Sequence, residues 1–469
     1  MIRASDYASL PLAVAAAESA NDALELTGGV VYSISSELRV GVGNGEIRYI
    51  NGNGAVVRAT APMRAVVSCI GNQMQMRDVR VECGRLATHG IYTDTSSRSN
   101  YENVDVYQAL SDGFAVSHDN DFSTFKRCSA RLCGTIWHTA GYAGPSPANI
   151  KTAVTGTCTV GGGSAYGRVV TFSNLSVPLT SMGLRRGDWI SVDPAAPGHT
   201  GAMFWAPILS VDSDSQITLD FHPFFPGVGT PCQFSIHKGH GFHFGPGRAD
   251  NNCHYLETCL AENTGCNGFY LGGLYGSTGV NLQVNAAGAH PVVVGGYASD
   301  RNVFGTEIRR FYTENGLNGA SSHVYCDGAV GILITTVNGA YEVGVSNPSL
   351  NRGIIINNQN LGDATRMIDP IGAYPKIRVE SGLFAPFKGQ AVAKKGSVAT
   401  RVTMVGCTPD AFIIPQPKNL KPRRRHWLDR LADQRQESAA IVPGVGSFEI
   451  RTLLPASEDT VIDYLVVSL

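Results

Sequence analysis

His240-Gly241-Phe242 is followed 27 residues on by Asn267-Gly268-Phe269, and His89-Gly90-Ile91 is followed 23 residues on by Asp112-Gly113-Phe114. Each triplet joins a polar residue, a glycine and a bulky apolar residue. Short alternating strands accompany them: Asp78-Val79-Arg80-Val81, Asn103-Val104-Asp105-Val106 and residues 255–259, with Val81 and Val106 25 residues apart. A period of roughly 20–30 residues, made of short strands and Gly/Asn turns, is the pattern of a solenoid. One coil cannot bury its apolar side chains; stacked coils share a core. The frame of a leucine-rich repeat is absent, and a propeller blade takes ~40–45 residues. The spacing therefore predicts an all-β chain built on a right-handed parallel β-helix.

Composition agrees. Of 469 residues 54 are glycine and 16% are charged, against a usual ~25% charged, which favours tight turns and buried strands. Hydrophobic residues make up 43%, enough for a core, so a disordered chain is excluded. Net charge is -1, which predicts no nucleic-acid partner. No 18-residue apolar run exists, so no membrane insertion is expected. The eleven cysteines include no CxxC pair, and Cys253, Cys259 and Cys266 are too widely spaced for a zinc knuckle. They read as small buried hydrophobes, reduced as in a cytoplasm. Asp6 and Pro11 spoil residues 10–17 as a signal peptide.

The order of elements predicts five segments. Residues 1–29 hold an attachment segment and a capping helix over 5–22, with Ser9 as cap and Pro11 in the first turn. Residues 30–144 and 238–410 form the β-helix. Gly134-Thr135-Ile136 begins a rung, but the next clear triplet is 107 residues on, so residues 145–237 are an inserted small β-barrel-like domain. Its signals are a strand near 189–192, with Trp189 in its core, and a hairpin of 208–211 with 217–219. Residues 411–469 read as a linker at 415–422, a short helix from Arg423 to about 436, and β-strands at 447–453 and 461–469. That last segment has too little apolar mass to fold alone, so it is expected to pair with copies of itself.

The Ala-rich helix, then Ala23-Leu24-Glu25-Leu26-Thr27-Gly28-Gly29-Val30-Val31-Tyr32-Ser33-Ile34 and Gly43-Asn44-Gly45, resembles the entry of the pectin-lyase-like β-helix superfamily. Long Gly/Asn-rich coils, a β insert carrying Gly187-Asp188-Trp189-Ile190, and a short β C-terminus are similar to bacteriophage tailspike proteins. The resemblance covers about 10–410. It implies a homotrimer in the virion tail, made in the host cytoplasm, that binds bacterial surface polysaccharide (capsule or lipopolysaccharide) and hydrolyses it with paired carboxylates. No head-binding domain precedes the helix, so attachment to the phage tail or an adaptor is expected through the N-terminus. A non-catalytic adhesive spike and a cellular pectin-lyase-like enzyme are the other readings; the missing signal peptide and odd cysteine count speak against the cellular enzyme.

The superfamily moves its carboxylates between members, so candidates come from the coil turns. Adjacent coils stand ~4.8 Å apart. Retaining hydrolases need ~5–5.5 Å between carboxylates and inverting ones ~6.5–9.5 Å. Aligning Ala261-Glu262-Asn263, Val284-Asn285-Ala286 and Thr313-Glu314-Asn315 places Glu262 and Glu314 two coils apart with Asn285 between. Glu257 and Glu307 form a second candidate pair, and Asp300 lies on a connection beside Tyr297. Tyr297, Tyr312, Trp205 and Asn285 are the candidate glycan contacts. The insert is expected to line one rim of the groove, with Phe204, Trp205 and Tyr166 as stacking surfaces. These turn carboxylates also suit a plain solvated role. Asp112, His118, Asp119 and Asp121 do not complete a calcium shell. In an unbroken strand His237 and His243 share a face and His240 takes the other, which is poor for one metal. No metal or cofactor is expected.

Overall fold

The computed structural model describes residues 1–41, 49–71, 73–117, 120–138, 157–160, 168–173, 175–185, 187–194, 204–219, 231–245, 251–272, 274–295 and 303–314. Beyond these it describes the strand stretches 324–327, 329–330, 333–336, 343–346, 354–358, 377–381, 387–393, 399–403, 412–417, 439–444, 447–452 and 460–468. The chain is a parallel β-solenoid. One wall is a nine-stranded sheet running from Leu38–Val40 to Val343–Ser346, every neighbouring pair parallel. The other walls form a 16-stranded sheet whose strands bend at a corner.

That corner is a single residue. Asp78, Asn103, Arg127, Thr258, Asn281 and Arg310 have φ between 52° and 55°, one per coil. The left-handed conformation reverses the in–out alternation, so the next residue points inward. Val79, Val104, Cys128, Cys259, Leu282 and Phe311 fill that inward column and are all buried. The corner N–H groups bond along the stack, from Arg127 to the Glu257 carbonyl (2.8 Å), Thr258 to Val280 (2.8 Å) and Asn281 to Arg309 (2.9 Å). Gln73, Arg98, Phe122 and Cys253 make a second corner of the same kind. Arg85, Gln108, Leu132, Asn263 and Ala286 make a third.

The triplet glycines have a steric cause. A Cβ on Gly241 would sit 2.8 Å from Ala261 Cβ and 2.7 Å from the Gly268 carbonyl oxygen; one on Gly268 would sit 2.7 Å from Val284. The opposite wall touches the backbone there. The bulky third residue points inward, and Phe114, Phe242 and Phe269 stack at 4.6 and 4.8 Å between ring centroids. Cys69, Cys83, Cys128, Cys133, Cys259 and Cys266 are buried free thiols, while Cys253 is exposed.

The N-terminal helix is shorter than expected: Leu10–Ala20, with Ser9 before it and Asn21 in the left-handed conformation after it. Ile2–Arg3 leave the helix to pair with Leu24–Glu25, and Ala4–Asp6 form a 3-10 turn. Leu10, Ala13, Val14 and Ala17 are buried on the end of the core, where Leu10 lines a small apolar cavity together with Leu24, Leu38 and Val67.

The insert is an antiparallel barrel. Pro231–Lys238, Thr157–Val160, Arg168–Ser173, Gln216–Leu219, Phe204–Ser213 and Trp189–Pro194 pair in that order, and the last pairs back with the first. Thr135–His138 does not start a rung; it pairs antiparallel with Pro231–Lys238. The chain leaves the coil at Gly134 (φ 78°) and returns at Gly239 (φ 80°).

The C-terminal strands find partners in their own chain. Thr460–Ser468 lies between Phe387–Ala393 and Phe412–Pro417, and Ser447–Thr452 between Ala399–Thr403 and Ala439–Gly444. The expected linker thus contributes a strand through Pro417; proline lacks an N–H and is tolerated because this is an edge strand. The helix expected from Arg423 lies outside the described residues.

Phe242→Ala removes the middle ring of the stack and is expected to cost about 3–5 kcal/mol in denaturant unfolding. A loss under about 1 kcal/mol would contradict the packing described.

Candidate functional site

The corners set which side chains face out. Beyond the corner, one outward column reads Arg58, Glu82, Tyr107, Arg131, Glu262 and Asn285, in register coil by coil, and the backbone of Glu314 continues the register. Glu262, Asn285 and Glu314 therefore occupy successive coils. Tyr312 lies two residues before Glu314, in the column of Leu260 and Gln283. Before the corner, a second column reads Arg77, Glu102, Lys126, Glu257, Val280 and Arg309.

Glu257 and Glu307 do not share a column. Glu257 immediately precedes its corner at Thr258, whereas Glu307 stands three residues before the corner at Arg310. Glu307 is in register with Thr278, and Thr278 with Tyr255. The carboxylates carry basic partners: Lys126 Nζ is 3.5 Å from Glu257, Arg131 Nη1 3.5 Å from Glu262, and Arg309 Nη2 2.6 Å from Glu307. Asp300, Tyr297, Tyr166, His118 and Asp119 lie outside the described residues, as do the side chains of Glu314, Phe204 and Trp205.

One residue escaped the sequence reading. Asp105 is half-buried in the column beside Glu262, in contact with the Ser129 hydroxyl, and Arg131 Nε is 3.6 Å away. Burial pushes its carboxyl above the usual range, against the opposing charges of Arg131 and Arg80. Arg80 lies over the Tyr107 ring at 4.1 Å, and Arg131 at 5.8 Å. Its alternating pattern Asn103-Val104-Asp105-Val106 marked an outward strand position; nothing in the sequence marked its proximity to Glu262, which lies beyond the insert.

The polar residue of each triplet has a different task. His89, Asp112, His240, Asn267 and His290 stack under the barrel and are all buried. Asp112 accepts the N–H of His240 (3.0 Å), His240 Nδ1 that of Asn267 (3.3 Å), and Asn267 Oδ1 that of His290 (3.0 Å). The barrel lays Arg185 on this ladder, with Nη2 2.7 and 2.6 Å from the Asp112 oxygens. Trp189 is fully buried, but against Cys266, Tyr270, Ala289 and Val293 of the solenoid rather than in the barrel's own core. Burial alone would raise the Asp112 pKa; Arg185 and His243 outweigh it and hold the carboxyl well below the usual range.

Asp112, His240 and His243 offer ligand atoms within 4.8 Å of one another. The turn at Gly239 (φ 80°) ends the strand, so His240 and His243 converge instead of taking opposite faces. The Arg185 guanidinium already neutralises Asp112, so the cluster reads as an ion pair joining barrel to solenoid. Asp121 is separate and accepts the Asn252 N–H at 3.0 Å.

No protein-family model matches the chain, and no curated protein matches it. Among solved structures, an alginate lyase from Paenibacillus sp. aligns at TM-score 0.39 and 9% identity, covering 81% of this chain and 97% of that one. The A-module of the mannuronan C-5 epimerase AlgE6 from Azotobacter vinelandii aligns at 0.36 and 12%, covering 81% and 98%. An Acinetobacter phage tailspike aligns at 0.35 and 8%, covering 74% and 54%. At these values the likenesses assign neither substrate nor residue roles.

Burial lowers the pKa of His89, His240 and His243, and that of His254 to about 4. Such histidines stay neutral in the fold but take up a proton when unfolded, so stability falls as pH drops below ~6.5. Asp188, pushed by burial up to about 6, and Asp105, also raised by burial, act in the opposite sense, two groups against four. The melting temperature is expected to be lower at pH 5 than at pH 7.5. An equal or higher value at pH 5 would contradict the neutral buried ladder.

Proposed function

We propose that this chain is a phage tailspike that binds a bacterial surface polysaccharide along the outward wall of its solenoid and hydrolyses it with paired carboxylates. The observation that carries the reading is the register of Glu262, Asn285 and Glu314 on successive coils. Coils ~4.8 Å apart repeat at about the rise of a sugar chain's contacts, so one wall can grip several units. Positions 262 and 314, two coils or ~9.6 Å apart along the stack, meet the upper limit of the ~6.5–9.5 Å that an inverting hydrolase leaves for its water. Tyr312 supplies an aromatic edge in the neighbouring column, suited to a sugar face.

The same reading includes a homotrimer, a place in the virion tail and attachment to a tail or adaptor protein through the N-terminus. The C-terminal sheets support self-association: among the described residues, Phe387–Ala393, Phe412–Pro417, Ala399–Thr403 and Ala439–Gly444 are edge strands. Uncovered edges invite pairing with another copy. A second reading, an adhesive spike without catalysis, draws on the ion pairs that Lys126, Arg131 and Arg309 make with Glu257, Glu262 and Glu307.

Incubating the protein with capsule and lipopolysaccharide from a panel of bacteria separates these. New reducing ends without ultraviolet-absorbing products are the expected result. An unsaturated, absorbing product would indicate a lyase. Binding without new ends would support the adhesive spike, and neither binding nor cleavage across the panel would overturn the proposal.

A further inference from the structure

Resting on the hydrolase reading, the geometry points to Asp105 as the general acid partner of Glu262, with Arg131 holding the two carboxylates in place: Arg131 Nε is 3.6 Å from Asp105 Oδ1 and its Nη1 3.5 Å from Glu262 Oε2.

Several observations converge on this trio. The three residues come from three successive coils: Asp105 is in register with Ser129, and Arg131 with Glu262. Through one guanidinium the two carboxylates are held no farther apart than the ~9.5 Å upper limit for an inverting hydrolase. Their surroundings differ, as an acid and a base require. Asp105 is packed beside Ser129, and burial favours its protonated form. All three side chains keep about a third of their surface exposed (33%, 35% and 32%), so a bound chain can reach them. Arg131 also bonds the Tyr107 hydroxyl at 3.4 Å, which restrains its side chain.

The step balances as follows. Asp105 gives its proton to the glycosidic oxygen as the bond from that oxygen to the anomeric carbon breaks. The Glu262 carboxylate takes a proton from a water whose oxygen bonds to the anomeric carbon from the opposite face. The products are an alcohol and a hemiacetal of inverted configuration. Asp105 is left ionised and Glu262 protonated, and solvent exchange returns both to their starting states. Arg131 is a positioning residue and undergoes no chemistry.

The test uses the full chain and the polysaccharide that the panel shows to be cleaved. Asp105→Asn and Glu262→Gln are each expected to lower kcat at least ~100-fold while glycan affinity stays within about threefold. The affinity measurement also shows that each variant is folded. Asp105→Asn should regain most of its rate on a nitrophenyl glycoside of the same sugar, whose leaving group needs no proton; Glu262→Gln should not. Arg131→Lys should move the pH–rate profile, which a merely structural residue would leave in place. If the wild type cleaves and Asp105→Asn keeps its rate, the assignment of Asp105 is overturned and the hydrolase reading stands. If the wild type cleaves nothing, both fall.

Discussion

The single left-handed residue at each corner is the constraint on which the rest depends. At Asp78, Asn103, Arg127, Thr258, Asn281 and Arg310 it turns the strand and restarts the in–out alternation, and at Arg127, Thr258 and Asn281 its N–H carries a coil-to-coil hydrogen bond where the backbone would otherwise be unsatisfied. Because the corner recurs once per coil, the residue after it enters the core each time and the chain alternates outward from there. The interior column from Val79 to Phe311 and the exterior column from Arg58 to Asn285 are two consequences of one backbone device. A shift of one residue at any corner would exchange the two columns.

Much of the solenoid was legible. The polar–Gly–apolar triplets reflect real steric demands: Gly241 and Gly268 leave no room for a Cβ, and Phe242 and Phe269 stack inward. The coil alignment that put Glu262, Asn285 and Glu314 together rested on turn residues, and the backbone register agrees. The corners themselves were only half legible. Asn is a familiar left-handed residue, but Arg127, Thr258 and Arg310 are not, so tertiary stacking imposes what local propensity does not signal. That is why Glu307 was paired with Glu257: without the corner at Arg310 its offset from the corner cannot be counted. Asp105 was missed for another reason. Its approach to Glu262 exists only because the chain leaves the coil at Gly134, builds a barrel and returns at Gly239 onto the next coil.

The barrel is joined to the solenoid by polar chemistry rather than by apolar contact alone. Within the ladder the Asp112, His240 and Asn267 side chains accept backbone N–H groups of the next coil, and Arg185 neutralises Asp112. Breaking one partner of a buried pair leaves an uncompensated charge, which is costly. The cluster that looks like a metal site from its residue types is thereby a structural seam. The neighbouring exposed wall instead carries Arg58, Glu82, Arg131 and Glu262 in register, with their charged side chains open to solvent.

Thr258 offers the most direct test of the corner. It is an exposed β-branched residue at φ 55°, a conformation that costs an ordinary L-residue ~1–2 kcal/mol and that asparagine adopts readily. The Asn281 corner on the next coil already uses asparagine. Denaturant unfolding of Thr258→Asn should show a gain of about 1 kcal/mol at an unchanged m-value. If Thr258 instead lay in an extended strand, losing a β-branched residue there would lower stability. A loss on this substitution would contradict the corner, and with it the register that brings the carboxylates together.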